Sequence, residues 1–352
     1  MIPLFIISNT PFTGKTFLSL GIGLSLKERG LKVGYIKPVG SHPVKVGRML
    51  YAADSIFMKE ALALDDPLDV ISPFVMNYEA QESLLKGDYH DVLKKVMDAF
   101  KAQSDKDVLI VGGSGSIFNG YSFGIDIFKM IRELEGRVII VDSWKAENTA
   151  DTILGLANLL KENIAGGIIN KVPLSALTYV RTEVSSFLER SGVPLIGAFP
   201  NDSLLESISV RHLMDLLGGR LLCCEEGLDE YVEHFSVGAM DVDNALNYFR
   251  RLHNKAVITG AHRSDIQLAA METSTKCIIL TGGLQTNDVV VKRAEAKGIP
   301  ILSVSEDTFT VIDTIETAIG KTRIREASKT ARAKEMVAAE IDFERLLKTL
   351  RR

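Results

Sequence analysis

The chain has 352 residues, 46% of them hydrophobic and 24% charged, with a formal net charge of −4. That length exceeds one ordinary core and suggests about two folded domains. A slightly acidic chain gives no electrostatic reason to expect nucleic acid, and no apolar run reaches the roughly 18 residues of a membrane span. The first residues already read as a core strand without a signal-peptide flank, so the cytoplasm is the expected location.

Pro3 to Ile7 is an unbroken apolar run of strand length, and Phe17 to Leu26 repeats apolar positions at helical spacing. Between them lies Ser8-Asn9-Thr10-Pro11-Phe12-Thr13-Gly14-Lys15-Thr16. Glycine lets backbone N–H groups turn inward, a helix N-terminus adds partial positive charge, lysine reaches terminal phosphates, and threonine offers a hydroxyl to Mg²⁺. The pattern implies triphosphate binding. It departs from G-x-x-x-x-G-K-[ST] at Asn9, a residue type whose tolerance of left-handed backbone keeps the loop formable.

Gly30 ends the first helix, and Leu31 to Ile36 reads as a second strand leading into Lys37-Pro38-Val39-Gly40. Lys37, just past the carboxyl end of a strand, is a candidate phosphate or substrate contact. Residues 41–87 read as mostly helical and contain Asp54, a candidate member of a Mg²⁺ shell or a helix cap. Tyr89 to Ala102 reads as an amphipathic helix, and Val108 to Val111 as a buried strand running into Gly112-Gly-Ser-Gly115. Those small residues admit a ligand close to the backbone but supply no carboxylate. Val138–Val141 before Asp142, Gly166–Ile169 before Asn170, and Val193–Ala198 repeat the theme, with helices between them. The alternation predicts a parallel sheet covered on both faces.

The glycine pair in Leu216-Leu-Gly-Gly219 marks a boundary, and a second αβ series runs from a helix near Val242 to a helix over Thr308–Ile319. Cys223, Cys224 and Cys277 show no C-x-x-C spacing and the six histidines no metal-binding pattern, so no disulfide framework or transition-metal site is expected. Arg325 to Arg352 is a charged, alanine-rich tract read as a docking terminal helix.

On these residues the first domain, 1–217, resembles the dethiobiotin-synthetase group of phosphate-loop proteins, in particular the domain attached to some long phosphate acetyltransferases. The resemblance is carried by Asn9–Thr16, Tyr35-Ile-Lys37-Pro38-Val39, Ala53-Asp54, Val108–Gly115, Gly167-Ile-Ile-Asn170-Lys171 and Gly192–Pro200. Residues 218–323 resemble the DRTGG module through Ile258-Thr-Gly260, Arg263-Ser-Asp265 and Leu280-Thr281-Gly282-Gly283, with His262 in place of the name-giving aspartate. The expected fold is a P-loop NTPase-like α/β sheet with helices on both faces, a smaller α/β domain, and a helical tail over 324–352. No acyltransferase domain is expected after residue 323, and hence no transacetylase activity.

The resemblance implies ATP or ADP with Mg²⁺ as cofactor. Gly14 and Lys15 would hold the phosphates, with Thr10 and Thr13 among the cofactor-binding residues; Thr16 and Asp54 would ligate the metal, Lys37 would face the γ-phosphate or an acidic substrate, and Asn170 would bond the adenine, with the Pro200-Asn201-Asp202 loop closing over the base. Lys37 and Lys15 would carry any chemistry. Gly112 stands where dethiobiotin synthetases place a metal-holding glutamate, so binding is expected to outlive turnover. Three functions compete: an adenine-nucleotide sensor that self-associates through the DRTGG-like domain or signals to a protein partner; an ATP-dependent ligase of the dethiobiotin synthetase or cobyrinate amide synthase type; and a structural pair that has lost its nucleotide.

Overall fold

Six apolar segments of the first half form one parallel sheet because none of them leaves a polar face for water. They are β1 (Ile2–Ile7), β2 (Val33–Ile36), β5 (Val108–Gly112), β6 (Arg137–Ser143), β7 (Ile164–Val172) and β8 (Leu195–Pro200), in the order β2-β5-β1-β6-β7-β8. A hairpin of β3 (Pro43–Val46) and β4 (Met49–Ala52) lies outside this sheet. The computed structural model describes residues 1–87, 91–113, 115–283, 286–319 and 326–351. Tyr89, Ser114, Arg325 and Arg352, which bound or belong to segments read from the sequence, lie outside the described residues.

Packing divides the chain into Met1–Asn201 with Ile324–Arg352 as one unit and Asp202–Arg323 as the other. In the first unit, helix α1 (Lys15–Glu28) follows β1 and is buried on nearly every side. A helix apolar all round needs two partners, and two glycines face them. A β-carbon on Gly23 would press on Leu62 and Ile110, while one on Gly21 would overlap Val337 of the helix Ala327–Glu340. That helix and the next, Phe343–Leu350, form the terminal tract, which bends at Ile341-Asp342. The Asp342 N–H donates to the Ile196 carbonyl at 3.0 Å, and the Arg29 guanidinium sits 4.1 Å from the Phe343 ring centroid.

Residues 41–87 differ from the helical expectation. The hairpin comes first, followed by α2 (Ala53–Ala61), α3 (Leu68–Ile71) and α4 (Tyr78–Leu85). Pro43-Val-Lys-Val favours extended backbone, and Gly47, at φ 62°, makes the turn.

The second unit holds a short pair, β9 (Ile208–Ser209) with β11 (Tyr231–Val232), and a five-stranded sheet. The sheet contains β10 (Arg220–Cys223), β12 (His234–Val237), β13 (Lys255–Gly260), β14 (Thr275–Thr281) and β15 (Ile301–Ser303), in the order β10-β15-β14-β13-β12. Only β10 runs antiparallel to its neighbour. Lys255 opens β13 fully buried, with its ammonium donating to the Leu252 and Ser274 carbonyls and to Thr273 Oγ1 at 2.9–3.2 Å. Burial pulls its pKa down to about 8.

Two measurements check this packing. Gly21→Ala should lower the melting temperature by several degrees, the cost of about 1–3 kcal/mol for overpacking. For Lys255, the folded-state value lies below that of the unfolded chain, so folding expels a proton between about pH 8 and the ordinary lysine value. Stability relative to Lys255→Met should therefore rise with pH through that window in denaturant titrations; parallel pH profiles would show that the group does not titrate there.

Candidate functional site at the carboxyl end of the first sheet

The polypeptide leaves β1 at Ser8 and re-enters helix at Lys15, and two residues between them take left-handed backbone. These are Phe12, at φ 60°, and Gly14, at φ 98°; Asn9 is not among them. The departure at Asn9 thus imposes no strain, because the loop makes its turn elsewhere. At Gly14 a side chain is excluded twice, by φ and by the Asn170 amide, on which a β-carbon would fall.

Lys15 is buried at the start of α1. Its ammonium donates to the Ser8 hydroxyl, to the Thr10 carbonyl at 3.1 Å and to the Gly115 carbonyl at 2.9 Å. Ser8 Oγ in turn donates to the Thr10 carbonyl at 2.5 Å. All three acceptors are neutral. Burial first, and then the positive charge of Lys37, pull the Lys15 pKa down to about 8, against the smaller opposing effects of Asp54 and Asp142. An anion arriving here meets a cation that no carboxylate yet neutralises by direct contact. Among the described residues, Thr13 Oγ1 is buried with no hydrogen-bond partner.

Asn170, on β7, donates Nδ2 to the Thr13 carbonyl at 2.9 Å and accepts at Oδ1 from the Lys171 N–H. It therefore braces the loop, and one amide hydrogen and one lone pair remain for another contact. Lys37 and Asp54 form an ion pair at 2.6 Å, with Lys37 buried and Asp54 a quarter exposed. Thr16 lies in the first turn of α1. Thr10, Thr13, Gly14, Lys15 and Asn170 are thus joined by direct contacts. Asp202 instead caps the short helix Ser203–Glu206, accepting from the Leu205 N–H at 3.0 Å, and belongs to the second unit.

Two features escaped the sequence reading of the site. Asp142, buried at the end of β6, accepts from Lys145 Nζ at 2.8 and 3.1 Å and is one of the charges felt by Lys15. Its signal was an acid directly after an apolar strand. The other is Tyr35, whose buried side chain fills the space in front of Gly112: a β-carbon there would fall on the hydroxyl, 2.8 Å from Cζ. Burial, and then the negative charge of Asp54, push the Tyr35 pKa upward, so the phenol stays neutral. A carboxylate at position 112 has no room while Tyr35 keeps this rotamer.

A pocket opens beside the loop, lined by Ser8, Pro38, Val39, Gly112, Gly113 and Asn119 among others. Among the described residues, no group of three His, Cys, Asp or Glu side chains could hold a metal ion. Gly112→Ala should destabilise the protein by about 1–3 kcal/mol through overpacking. Combined with Tyr35→Leu, its cost in denaturant titrations should fall well below the sum of the two single changes; strict additivity would mean that the two residues do not meet.

A family model described as an AAA domain matches residues 3–209, and one described as a DRTGG domain matches residues 212–318. The phosphate acetyltransferase of Pseudomonas aeruginosa is 27% identical over 97% of this chain and 51% of its own length. The ATP-dependent dethiobiotin synthetase BioD of Methanococcus vannielii is 26% identical over 55% of this chain and 91% of its own. The chain spans about half the length of the phosphate acetyltransferases it matches. Among solved structures, the MinD cell division protein of Aquifex aeolicus is similar at a TM-score of 0.36 and 17% identity, covering 58% of this chain and 84% of that one. The CBS and DRTGG domains of Clostridium perfringens pyrophosphatase, complexed with the activator diadenosine tetraphosphate, reach a TM-score of 0.29 at 22% identity, over 33% of this chain and 50% of that one. With more than half its length matched, the chain belongs to the family of that AAA domain, in its dethiobiotin synthetase-like P-loop form, and carries a DRTGG domain behind it.

Proposed function

We propose that the first unit binds ATP or ADP with Mg²⁺ and that the chain is a regulatory protein that responds to adenine nucleotide. The observation that carries this reading is the buried Lys15 ammonium, held on three neutral oxygens at the N-terminus of α1. The Thr13 hydroxyl, unpartnered among the described residues, and the left-handed turn at Gly14 fit a polyphosphate as well. In this reading Gly14 and Lys15 hold the phosphates, with Thr10 and Thr13 beside them, and Thr16 and Asp54 offer the hard oxygens that Mg²⁺ prefers. The metal would neutralise phosphate charge. Asp54 would then share its carboxylate between Mg²⁺ and Lys37. Asn170 would keep bracing the loop and turn its remaining donor and acceptor to the base.

Regulation ranks above turnover because Tyr35 occupies the space where position 112 would need to carry a second carboxylate. Electrostatic stabilisation of the transferring phosphoryl group is the larger part of such catalysis, and it is the part reduced here. The second reading, an ATP-dependent ligase acting on an acidic small molecule, is favoured by the Lys37–Asp54 pair and by the pocket beside Ser8 and Pro38.

Calorimetric titration of ATP and ADP, with and without Mg²⁺, into the wild type and Lys15→Ala tests the proposal. Affinity should drop at least about tenfold in the variant, the loss of one charge-assisted contact worth ~1.4 kcal/mol or more. Equal heats from both proteins, or no binding at millimolar nucleotide, would overturn it. Nucleotide hydrolysis by the wild type should be slow, and fast turnover with a carboxylate or diamine acceptor would give the ligase reading priority.

A further inference from the structure

Asp142 ends the buried run of β6 with only 1% of its surface exposed. Its place in the sheet is fixed from both sides. It lies two residues beyond Ile140, whose partner on β1 is Ile7, and so stands level with the first residues of the loop that leads to Lys15. On the other side its partner on β7 is Ile169, one residue before Asn170. From there its charge reaches Lys15. A negative charge at that point favours the lysine but opposes any anion that the lysine would hold.

Lys145 answers that charge. Its ammonium donates to both Asp142 oxygens, at 2.8 and 3.1 Å, and the Ser143 N–H donates to Oδ1 at 2.9 Å. The turn that brings Lys145 back over Asp142 is held at three points. The Trp144 N–H donates to the Asn170 carbonyl at 2.8 Å, and the Lys145 N–H donates to the hydroxyl of Thr149, itself buried, at 2.7 Å. Ala146 takes left-handed backbone at φ 50°, which a residue with a β-carbon keeps only where its surroundings impose it. Two flexible surface side chains that meet in water gain little from pairing. Here the acid is buried and a constrained turn delivers the base.

The other acid whose field Lys15 feels, Asp54, is paired in the same way, with Lys37. We propose that Lys145 is a positioning residue of the anion site, which cancels the charge of Asp142 and so leaves the Lys15 ammonium able to draw a polyphosphate into the loop. This deepens the reading of that loop as a nucleotide site and rests on it. Asp142 itself touches neither nucleotide nor metal, because Lys145 and Ser143 already occupy its oxygens. Without Lys145, a buried carboxylate would oppose the arriving phosphates, and the penalty would grow with their charge.

Calorimetric titration of AMP, ADP, ATP and inorganic tripolyphosphate into the full-length protein tests this. Lys145→Met should weaken ATP and tripolyphosphate at least about tenfold and AMP less, whereas a purely structural defect would weaken all of them alike. Adding Asp142→Asn to the same chain should return ATP affinity to within about threefold of the wild type. Lys145→Arg, which keeps the charge, should stay close to the wild type. Asp142→Asn alone leaves no buried charge unpaired and should bind ATP at least as tightly as the wild type; if Lys145→Met does not fold, this variant and the double variant decide the matter. A wild type that binds none of these ligands would overturn the nucleotide reading and this inference with it. Binding by the wild type, followed by equal losses for AMP and ATP in Lys145→Met or by no rescue in the double variant, would overturn this inference alone. So would a tenfold loss of ATP with Mg²⁺ in Asp142→Asn, which would make the carboxylate a ligand in its own right.

Discussion

A buried ammonium without a carboxylate in contact is the constraint around which the first unit is arranged. Lys15 sits where β1 ends and α1 begins, and its charge is supported only by oxygens that carry none. Burial of that kind is costly unless every donor is satisfied, and two stretches of chain meet to satisfy it: the loop at Ser8 and Thr10, and Gly115. The glycines beside it follow from the same demand. Gly113 lets β5 close over the lysine stem, where a β-carbon would lie 3.1 Å from Lys15 Cδ, and Gly14 leaves space for the Asn170 amide. Charges of both signs stand further out: Lys37 paired with Asp54, and Asp142 with Lys145.

Much of this was legible in the sequence because it follows from local rules. An apolar run, a turn, Gly-Lys-Thr and a helical period specify strand, loop and helix before any tertiary contact is known. The buried strands of both units were readable for the same reason: a parallel strand covered on both faces shows as an uninterrupted run of Val, Ile and Leu. What stayed hidden depends on partners distant in sequence. That Tyr35 fills the space in front of Gly112, and that Asn170 turns toward Thr13, are facts about neighbouring strands. The hairpin was missed because Pro43–Ala52 packs on little of its own unit, so no buried face imposes a period of two. The terminal tract was recognisable as helix, but nothing in it announced α1 as its partner. The clue was in α1 itself, which has apolar or small residues on every side.

Gly112 has a different meaning in the structure than in the sequence alone. From the sequence it is a missing acid. In the fold it is the residue that makes room for a phenol, and the phenol lies within the field of Asp54. A carboxylate only accepts hydrogen bonds and carries charge, whereas a neutral phenol carries none and can also donate. The loss at position 112 is therefore a change in the electrostatics of the crevice, with its volume still filled.

The second unit lies, in sequence, inside the first. Met1–Asn201 and Ile324–Arg352 form one unit, and Asp202–Arg323 between them the other. During synthesis α1 is made before the second unit, and the helix that covers Gly21 only after it. Until then α1 has one apolar flank bare, with Leu62 and Ile110 already available on the other side and Val337 still to come. The finished first unit exists only after the inserted unit has left the exit tunnel, which makes the order of translation an order of assembly.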